Sequence, residues 1–469
     1  MKHAHHAGRL VIVGFGSIGQ GVLPLILKHI DMDPARISIV TAESRGKEVA
    51  DCYNVSFHQL ELTQDNYRDV LASFVGPGDF LVNVSVEVSS LALMVFCREV
   101  GALYLDTCIE PWAGGYTDPS LTPSWRTNYA LRESVLQLKS THSQPTAVVT
   151  HGANPGLVSH FVKQALLDIA HDTGRALVLS QDHRLGWATL AQELGVKTIH
   201  IAERDTQVSN RCTKAVGEFV NTWSIDGFVS EGCQPAELGW GSHERHWPHD
   251  AHRHDFGCQS AIYLLRPGAS QRVRSWTPLE GPFHGFLITH NESISIADYL
   301  TVGKGAEATY RPTVHYAYHP ADDAVLSLHE LAGKNWVLQS RKRLMMDEIS
   351  SGIDELGVLL MGHAKGAYWY GSRLSIGEAR ELVRFNNATS LQVTVAVLAG
   401  IVWALENPMK GVVEPDEMDF QRILGICRPY LGEVVGKYSN WTPLQDRQRL
   451  FPEQVDLEDP WQFKNFRVE

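Results

Sequence analysis

The fold of this 469-residue chain is decided by the stretch Leu10-Val11-Ile12-Val13-Gly14-Phe15-Gly16-Ser17-Ile18-Gly19. A short apolar strand pattern is followed by three glycines at GxGxxG spacing, and residues 18–30 then carry apolar positions at helical spacing. The first glycine permits a tight turn, the second lets the backbone approach a pyrophosphate, and the third lets helix and strand pack closely. The stretch predicts a dinucleotide-binding domain; a glycine-rich turn without a ligand is the alternative.

Strand and helix patterns alternate through the rest of the first 150 residues. Short apolar runs at 37–40, 80–84, 102–105 and 147–150 predict strands, and 89–100 has helical spacing. Strands separated by helices predict an α/β fold with a doubly wound parallel sheet of the Rossmann type.

Three parts are predicted along the chain. They are a Rossmann-type dinucleotide domain at 1–155, an inserted α+β domain for substrate and dimerisation at 156–375, and helices that return to the first domain at 376–469. The middle part is turn-rich, with alternating runs such as 261–265, and helical spacing returns over 376–405. The apolar stretch 391–405 is shorter than the ~20 residues that span a membrane, and it contains Gln392 and Thr394, which predicts a buried core helix.

Composition narrows the class of partner. Lys plus Arg number 41 and Asp plus Glu 53, so the net charge is −12, and 44% of the residues are apolar. The apolar fraction is typical of a globular protein. The negative net charge disfavours nucleic acid as a partner and mildly favours a cationic substrate. No signal peptide or membrane span is predicted. Because the cysteines are odd in number and lack a CxxC pair, we expect no disulfide framework and a reducing cytoplasm. They are Cys52, Cys97, Cys108, Cys212, Cys233, Cys258 and Cys427.

The second predicted strand ends in residues that decide how an adenosine ribose is held. An acidic residue is usual there, and this chain has Thr41, Glu43 and Arg45. Either Glu43 or Thr41 bonds the ribose, while Arg45 leaves room for a 2′-phosphate, so NAD is favoured over NADP only in part. Further candidate cofactor contacts lie at the ends of the other strands. They are Gly14, Gly16, Ser17, Ile18, Gly19, Asn83, Ser85, Asp106, Thr107, Asn154 and Pro155.

Carboxylates and a tryptophan are concentrated in one short span of the middle part. Glu203, Trp223, Glu231 and Glu237 fall there, and Glu110 follows a strand of the first domain. Carboxylates bind ammonium groups and relay protons when burial raises their pKa, and a tryptophan face attracts an alkylammonium. Each residue alone is more typical of a surface or core position, but their density favours an amine site.

Two further motifs carry candidate residues. The Asn154-Pro155-Gly156 turn follows a strand at the edge where such sheets bind ligands, although a purely structural turn is an even alternative. His290 is a candidate proton relay because histidine titrates near neutrality, and a structural histidine is the alternative.

A histidine cluster in the middle part invites a metal hypothesis. Pro248 breaks any helix there, no HExxH motif occurs, and the spacing matches no ligand frame, so a solvated loop is favoured and no metal is predicted. The cluster comprises His243, His246, His249, His252 and His254.

Taken together, these residues resemble the bacterial homospermidine synthases, over nearly the whole chain and with strings specific to that family. The similar strings are 13–19, 106–107, 110–112, 152–156, 200–240, 289–294, 352–357, 368–372 and 459–463. The departure is Thr41, where an aspartate of the family is expected.

The resemblance implies a saccharopine dehydrogenase-like fold, a tightly bound NAD that is recycled in place, and a homodimer. It implies that two putrescines give sym-homospermidine and ammonia through Schiff-base intermediates, and it leaves spermidine open as a donor. Glu203 and Glu231 would handle amines and protons, and Trp223 would supply a cation–π contact. The residues that match the lining of the family's substrate channel are Asn154, His290 and Asp354.

Two alternatives stay open. One is a dehydrogenase of the saccharopine or carboxyspermidine type, which would need an arginine or lysine for a substrate carboxylate and would exchange its cofactor at every turnover. The other is a non-catalytic NAD-binding regulator, which would not need an acidic, aromatic channel.

Overall fold

The computed structural model describes residues 1–175, 183–211 and 213–469, so Cys212 lies outside the described residues. The first part of the chain holds eight strands and five helices. The strands are β1 (Ala4–His5), β2 (Leu10–Val13), β3 (Ile30–Asp31), β4 (Ile37–Thr41), β5 (Ser56–Gln59), β6 (Phe80–Asn83), β7 (Leu103–Asp106) and β8 (Ala147–Val148). The helices are α1 (Ser17–His29), α2 (Lys47–Cys52), α3 (Tyr67–Leu71), α4 (Ser90–Val100) and α5 (Asn128–Leu136).

The middle part is richer in strands. Its described strands are β9 (Thr198–Asp205), β10 (Val208–Ser209), β11 (Glu218–Asn221), β12 (Pro235–Gly239), β13 (Ala251–Arg253), β14 (Ala261–Pro267), β15 (Arg272–Thr277), β16 (Gly281–Phe286), β17 (Thr313–His319), β18 (Arg341–Leu344), β19 (Ile349–Ser351), β20 (Ile353–His363) and β21 (Gly366–Ser375). Its described helices are α6 (Leu157–Asp172), α7 (His183–Leu194), α8 (Ile225–Cys233), α9 (Asn291–Tyr299) and α10 (Asp322–Gly333).

The C-terminal part contributes to both sheets. Its elements are α11 (Ile376–Leu382), α12 (Ala388–Glu406), β22 (Val412–Val413), α13 (Phe420–Cys427), β23 (Glu433–Ser439), α14 (Phe463–Phe466) and β24 (Arg467–Val468). Helix α12 packs against α1, and β22 pairs with β8. The structure differs from the prediction beyond α13, because β23 pairs with β21 and β24 with β15, so this segment completes the second sheet as well.

The first sheet confirms the predicted doubly wound fold. Its seven strands are all parallel and run in the order β22-β8-β7-β6-β2-β4-β5. The carboxyl ends of β2, β6, β7 and β8 therefore meet at one edge, which brings the glycine turn together with the loops that follow the other strands.

The second sheet has eleven strands with β9 near its centre. Strand β9 pairs in parallel with β17 and antiparallel with β20, and all of its residues are buried. Because side chains alternate along a strand, Glu203 and Asp205 lie on one face and Arg204 on the other. That alternation places two carboxylates side by side beneath the first domain.

Helix α12 is the one described helix long and apolar enough to cross a membrane by length and composition, and 89% of its most apolar stretch is buried. Its residues belong to the main hydrophobic core together with α1 and α6. This agrees with the core helix expected from the sequence.

Candidate active site

The GxGxxG turn closes against the end of a neighbouring strand. Gly14 has φ +83, and a Cβ built on it would lie 2.6 Å from the Ser85 Cα. A Cβ on Gly19 would lie 2.8 Å from the Gly14 carbonyl oxygen. These two positions require glycine because backbone approaches backbone there.

Gly16 is different, because a Cβ there would meet no atom within 4 Å. It is exposed, and as the N-cap of α1 it supplies no side-chain bond to the first N–H groups of that helix. An open floor beside a helix N-terminus fits a pyrophosphate. The turn is thus shaped for a dinucleotide, with Ser17 and Ile18 opening the helix.

The end of β4 offers two contacts for a ribose. Thr41 is its last residue and is buried, whereas the Glu43 side chain is 67% exposed and lies 3.5 Å from the Arg45 guanidinium. Glu43 is therefore the accessible carboxylate at this edge. The ribose contact stays a prediction for both residues.

Two other predicted cofactor residues face inward. Asn83 accepts from the Ser85 amide at 3.2 Å, and the Asp106 carboxylate accepts from the Tyr104 hydroxyl at 2.9 Å and the Thr150 amide at 2.6 Å. Burial raises the pKa of Asp106 to about 7. Asn83 and Asp106 hold the loops in shape, which leaves the partly exposed Ser85 and the neighbouring Thr107 at the edge.

Glu203 is hydrogen-bonded to one residue of the first part of the chain and to one residue of the middle part. Its Oε2 accepts from the Asn154 amide at 3.0 Å and from the Tyr316 hydroxyl. Burial raises its pKa to about 8, and the charge of Asp205 adds to this. A carboxyl with such a pKa changes its protonation near neutral pH, as a proton-transfer group must.

Asp354 is the most unusual group in the site. It is fully buried on β20 opposite Asp205, and the Thr389 side chain is the one described donor that interacts with its carboxyl group, without a bond of good geometry to either oxygen. Burial, with Glu203 and Asp205 nearby, raises its pKa well above the ordinary value. A buried carboxyl with so few donors is costly, and a bound ammonium would supply more.

Glu231 and His290 form a second group on α8 and at the start of α9. The Glu231 Oε2 lies 2.9 Å from the His290 Nε2, and the Glu292 Oε1 lies 3.2 Å from the Nδ1. Although burial opposes the charged imidazole, these two carboxylates raise the pKa of His290 well above its ordinary value. Burial raises the pKa of Glu110 to about 8, with Glu231 adding to the effect.

Aromatic rings lie between the carboxylates around Glu203 and the pair formed by Glu231 and His290. Tyr316 packs 4.5 Å from the His290 ring and stacks on Tyr318 at 5.1 Å, and the Tyr318 hydroxyl accepts from the Trp223 Nε1 at 3.0 Å. The partly exposed Trp223 ring also packs 5.1 Å from Phe228. Trp223 thus borders the carboxylates with one indole edge fixed.

Glu237 is not brought into this arrangement. It is fully buried, and its oxygens accept from the Asn128 amide at 2.8 Å, the Tyr129 amide at 3.3 Å and the Thr289 hydroxyl at 2.6 Å. The carboxylate therefore satisfies the first N–H groups of α5. Because its oxygens are occupied, we leave Glu237 out of the site.

The histidine cluster is dispersed among other contacts. His246 lies 2.8 Å from an Asp456 oxygen, and His254 stacks on Tyr129 at 3.9 Å. In the described part of the chain, no group of three or more His, Cys, Asp or Glu side chains could hold a metal ion.

Sequence reasoning missed four contributors to the site. The alternation of polar residues along β9 could have indicated Asp205, and the tyrosines of β17 repeat at the same spacing. No local signal marks Glu292. These four residues are Asp205, Glu292, Tyr316 and Tyr318.

Comparisons with known proteins find relatives for both the dinucleotide-binding part and the remainder of the chain. Residues 10–148 match the saccharopine dehydrogenase NADP binding domain, and residues 152–439 match the saccharopine dehydrogenase C-terminal domain. The homospermidine synthase of Blastochloris viridis is 55% identical, covering 98% of this chain and 97% of that protein. That of Mesorhizobium japonicum is 51% identical, covering 98% and 96%. A crystal structure of the Legionella pneumophila homospermidine synthase in complex with NAD is 52% identical, with a TM-score of 0.92 covering 99% of this chain and 98% of that one.

Proposed function

The chain belongs to the homospermidine synthase family, and from this premise we propose that it joins two putrescines into sym-homospermidine and releases ammonia. One observation of the site carries the substrate class. Asp354 is fully buried beside Glu203 and Asp205, and the Thr389 side chain is the one described donor that interacts with its carboxyl group. A terminal ammonium of a diamine would pair with this carboxyl and offset its burial.

The same site argues against a substrate carboxylate. Among the described residues, no arginine or lysine contacts Glu110, Glu203 or Glu231, and the charges that act on Glu203 and Glu110 are carboxylates and His290. A saccharopine- or carboxyspermidine-type enzyme needs a cation for its substrate. The geometry therefore favours the diamine.

The residues of the glycine turn fit NAD. Gly14, Gly16 and Gly19 would admit the pyrophosphate, α1 would face it with its N-terminus, and Glu43 or Thr41 would take the ribose. When bound, NAD would remove a hydride from putrescine to give an imine, and would return it once the second putrescine has displaced ammonia.

The chain's own groups move the protons. We assign Glu203, oriented by Asn154 and Tyr316, to take a proton from the attacking amine. Glu231 and His290 would exchange the protons at the other end of the substrate, since they share a hydrogen bond of 2.9 Å. Trp223 would stabilise the cationic intermediates through its ring face.

Trp223 tests the cation–π contact. We expect activity to fall in the order Trp, Phe, Ala, since a desolvated contact is worth about 2 kcal/mol, and we expect Trp223→Ala to lose at least ~10-fold in kcat/KM. Steady-state kinetics and the thermal midpoint are measured together. The exposed Trp125, which stacks on Phe256, provides a matched control as Trp125→Ala. Normal turnover would remove Trp223 from the site, and a collapsed midpoint would make it a core residue.

Tyr316→Phe tests how Glu203 is held. The Tyr316 hydroxyl donates to the carboxylate and so lowers the pKa of Glu203. Losing this bond should raise that pKa, and the rising limb of the kcat–pH profile should move up by about one pH unit. Tyr310→Phe is the control, because its buried hydroxyl donates to the Val196 carbonyl at 2.8 Å. An unmoved limb would contradict the assignment.

The function itself is tested by chromatography of amines after incubation with putrescine alone. We expect homospermidine and ammonia to accumulate over many turnovers without a stoichiometric supply of NAD. NADH rising in step with product would favour an ordinary dehydrogenase. NAD binding without any product would favour a regulator.

Four finer statements belong to the same proposal. We propose that the protein is a cytoplasmic homodimer without a nucleic-acid or membrane partner, supported by the net charge of −12 and the resemblance to the family. Spermidine is proposed as a second aminobutyl donor. Light scattering and incubation with spermidine plus putrescine test these points.

A further inference from the structure

A cavity lies in the middle part of the chain, and the carboxylates of the candidate active site do not line it. Its volume is about 270 Å³. Part of its lining is polar or aromatic, contributed by Trp240, Ser242, Glu244, Arg253, Gln259 and Arg311.

Arg311 is the anomalous group in this cavity. It is only 6% exposed, yet no carboxylate lies within ion-pair distance of it among the described residues. Its guanidinium donates only to neutral oxygens, at 2.9 Å to the Thr301 hydroxyl, 3.2 Å to the Gln259 carbonyl and 3.1 Å to the Gly305 carbonyl. A guanidinium has five N–H donors, and buried charges are normally paired.

Arg253 adds a second positive charge to the same cavity. Its exposed guanidinium lies over the Trp247 ring at 4.5 Å, and no ion pair is formed by it in the described part of the chain. Burial lowers the pKa of Arg311, the more distant Asp298 carboxylate offsets part of this effect, and the charge of Arg253 lowers the pKa again. Among the described residues, the two arginines therefore face the same space without a carboxylate at ion-pair distance, since Asp298 pairs with Arg132 and Arg184 instead.

Glu244, the one carboxylate in the lining, is engaged elsewhere. It accepts from the Thr313 hydroxyl at 2.6 Å and from the Phe463 amide at 2.9 Å. Burial raises its pKa to about 7, which weakens its repulsion of an anion.

We propose that this cavity binds a small anion through a carboxylate or phosphate group, held by Arg311 from within and by Arg253 at the mouth. The charge is opposite to that of the amine site, so the ligand is not the substrate of the proposed reaction, and the inference is independent of that reaction. Thr313, which bonds to Glu244, and Tyr316, which bonds to Glu203, lie three residues apart on β17, so their side chains point to opposite faces of the sheet and the cavity is separate from the amine site.

Calorimetric titration of the full chain tests the proposal, in a buffer whose only other anion is chloride. Inorganic phosphate and citrate are titrated separately, and we expect saturable 1:1 binding of at least one of them. Arg253→Gln should weaken it at least ~10-fold, as the loss of a charge-assisted bond does, and Arg311→Gln should abolish it. Arg341→Gln is the matched control, since this exposed arginine donates to the Val216 carbonyl.

The outcomes are distinct. Binding of phosphate alone or of citrate alone supports the proposal and identifies the group. Because Arg253 is exposed, Arg253→Gln gives an answer even if Arg311→Gln does not fold. The proposal is overturned if neither anion binds at millimolar concentration, or if Arg253→Gln binds as the unmodified chain does.

Discussion

Replacing Glu203 by glutamine should lower kcat by about 10²–10⁴-fold, the range that general acid–base groups contribute. Glutamine keeps the shape and the bonds from Asn154 and Tyr316 but cannot take a proton. The loss should appear in kcat, because the group acts on the reacting nitrogen, while bound NAD and the thermal midpoint stay unchanged. Steady-state kinetics with putrescine measures it.

Glu231→Gln should show a loss of the same kind, since its partner His290 would lose the carboxylate 2.9 Å away. Glu280→Gln is a suitable control, because its exposed carboxylate pairs with Arg204 on the other face of β9. Near-normal activity in both Glu203→Gln and Glu231→Gln would show that the site has been misplaced.

Adding a methyl group at Gly16 should weaken the binding of NAD without disturbing the fold. The residue has φ −73, which alanine adopts readily, and its Cβ would meet no protein atom within 4 Å. The space it would enter is the one proposed for the pyrophosphate. Overpacking costs roughly 1–3 kcal/mol, so Gly16→Ala should weaken NAD binding about 10- to 100-fold. The NAD content of the purified protein and a calorimetric titration measure this.

Gly333→Ala is the matched control for that variant, because Gly333, the last residue of α10, also has open space around its Cβ, does not have a positive φ and lies away from the turn. Gly14→Ala should behave differently from both and unfold the turn, since its Cβ would collide with Ser85. Unchanged NAD content in Gly16→Ala would show that the pyrophosphate lies elsewhere.

The first domain could be predicted from sequence because its signals are local. A four-residue apolar strand, glycines at fixed spacing and a following helix are set by neighbours in the chain, and the buried parallel strands read as apolar runs. The second sheet could not be derived in this way. The pairing of β9 with β17 joins residues more than a hundred positions apart, and no short-range pattern encodes the register that sets Glu203 beside Tyr318.

The site shows the same division. Glu203, Glu231 and Trp223 can be identified because acidic and aromatic residues stand out in one span of sequence, and His290 because histidine titrates near neutrality. Glu237 lies in the same span, yet in the folded structure its carboxylate accepts hydrogen bonds from the backbone at the start of α5. Glu203 and Glu237 are both buried, and what distinguishes Glu237 is that the first backbone N–H groups of α5 donate to it, a contact that exists only when this helix lies against the sheet.

The pairing of β22 with β8 has a consequence for how the protein is made. Residues 412–413 complete the edge of a sheet whose other six strands lie within the first 148 residues. Until the ribosome has delivered that late segment, β8 presents unpaired backbone groups, and such edges recruit other chains. A fragment cut at the apparent end of the dinucleotide domain would keep this edge open for good. In the nascent chain, the first sheet is therefore complete only after residues 412–413 have been synthesised and have paired with β8.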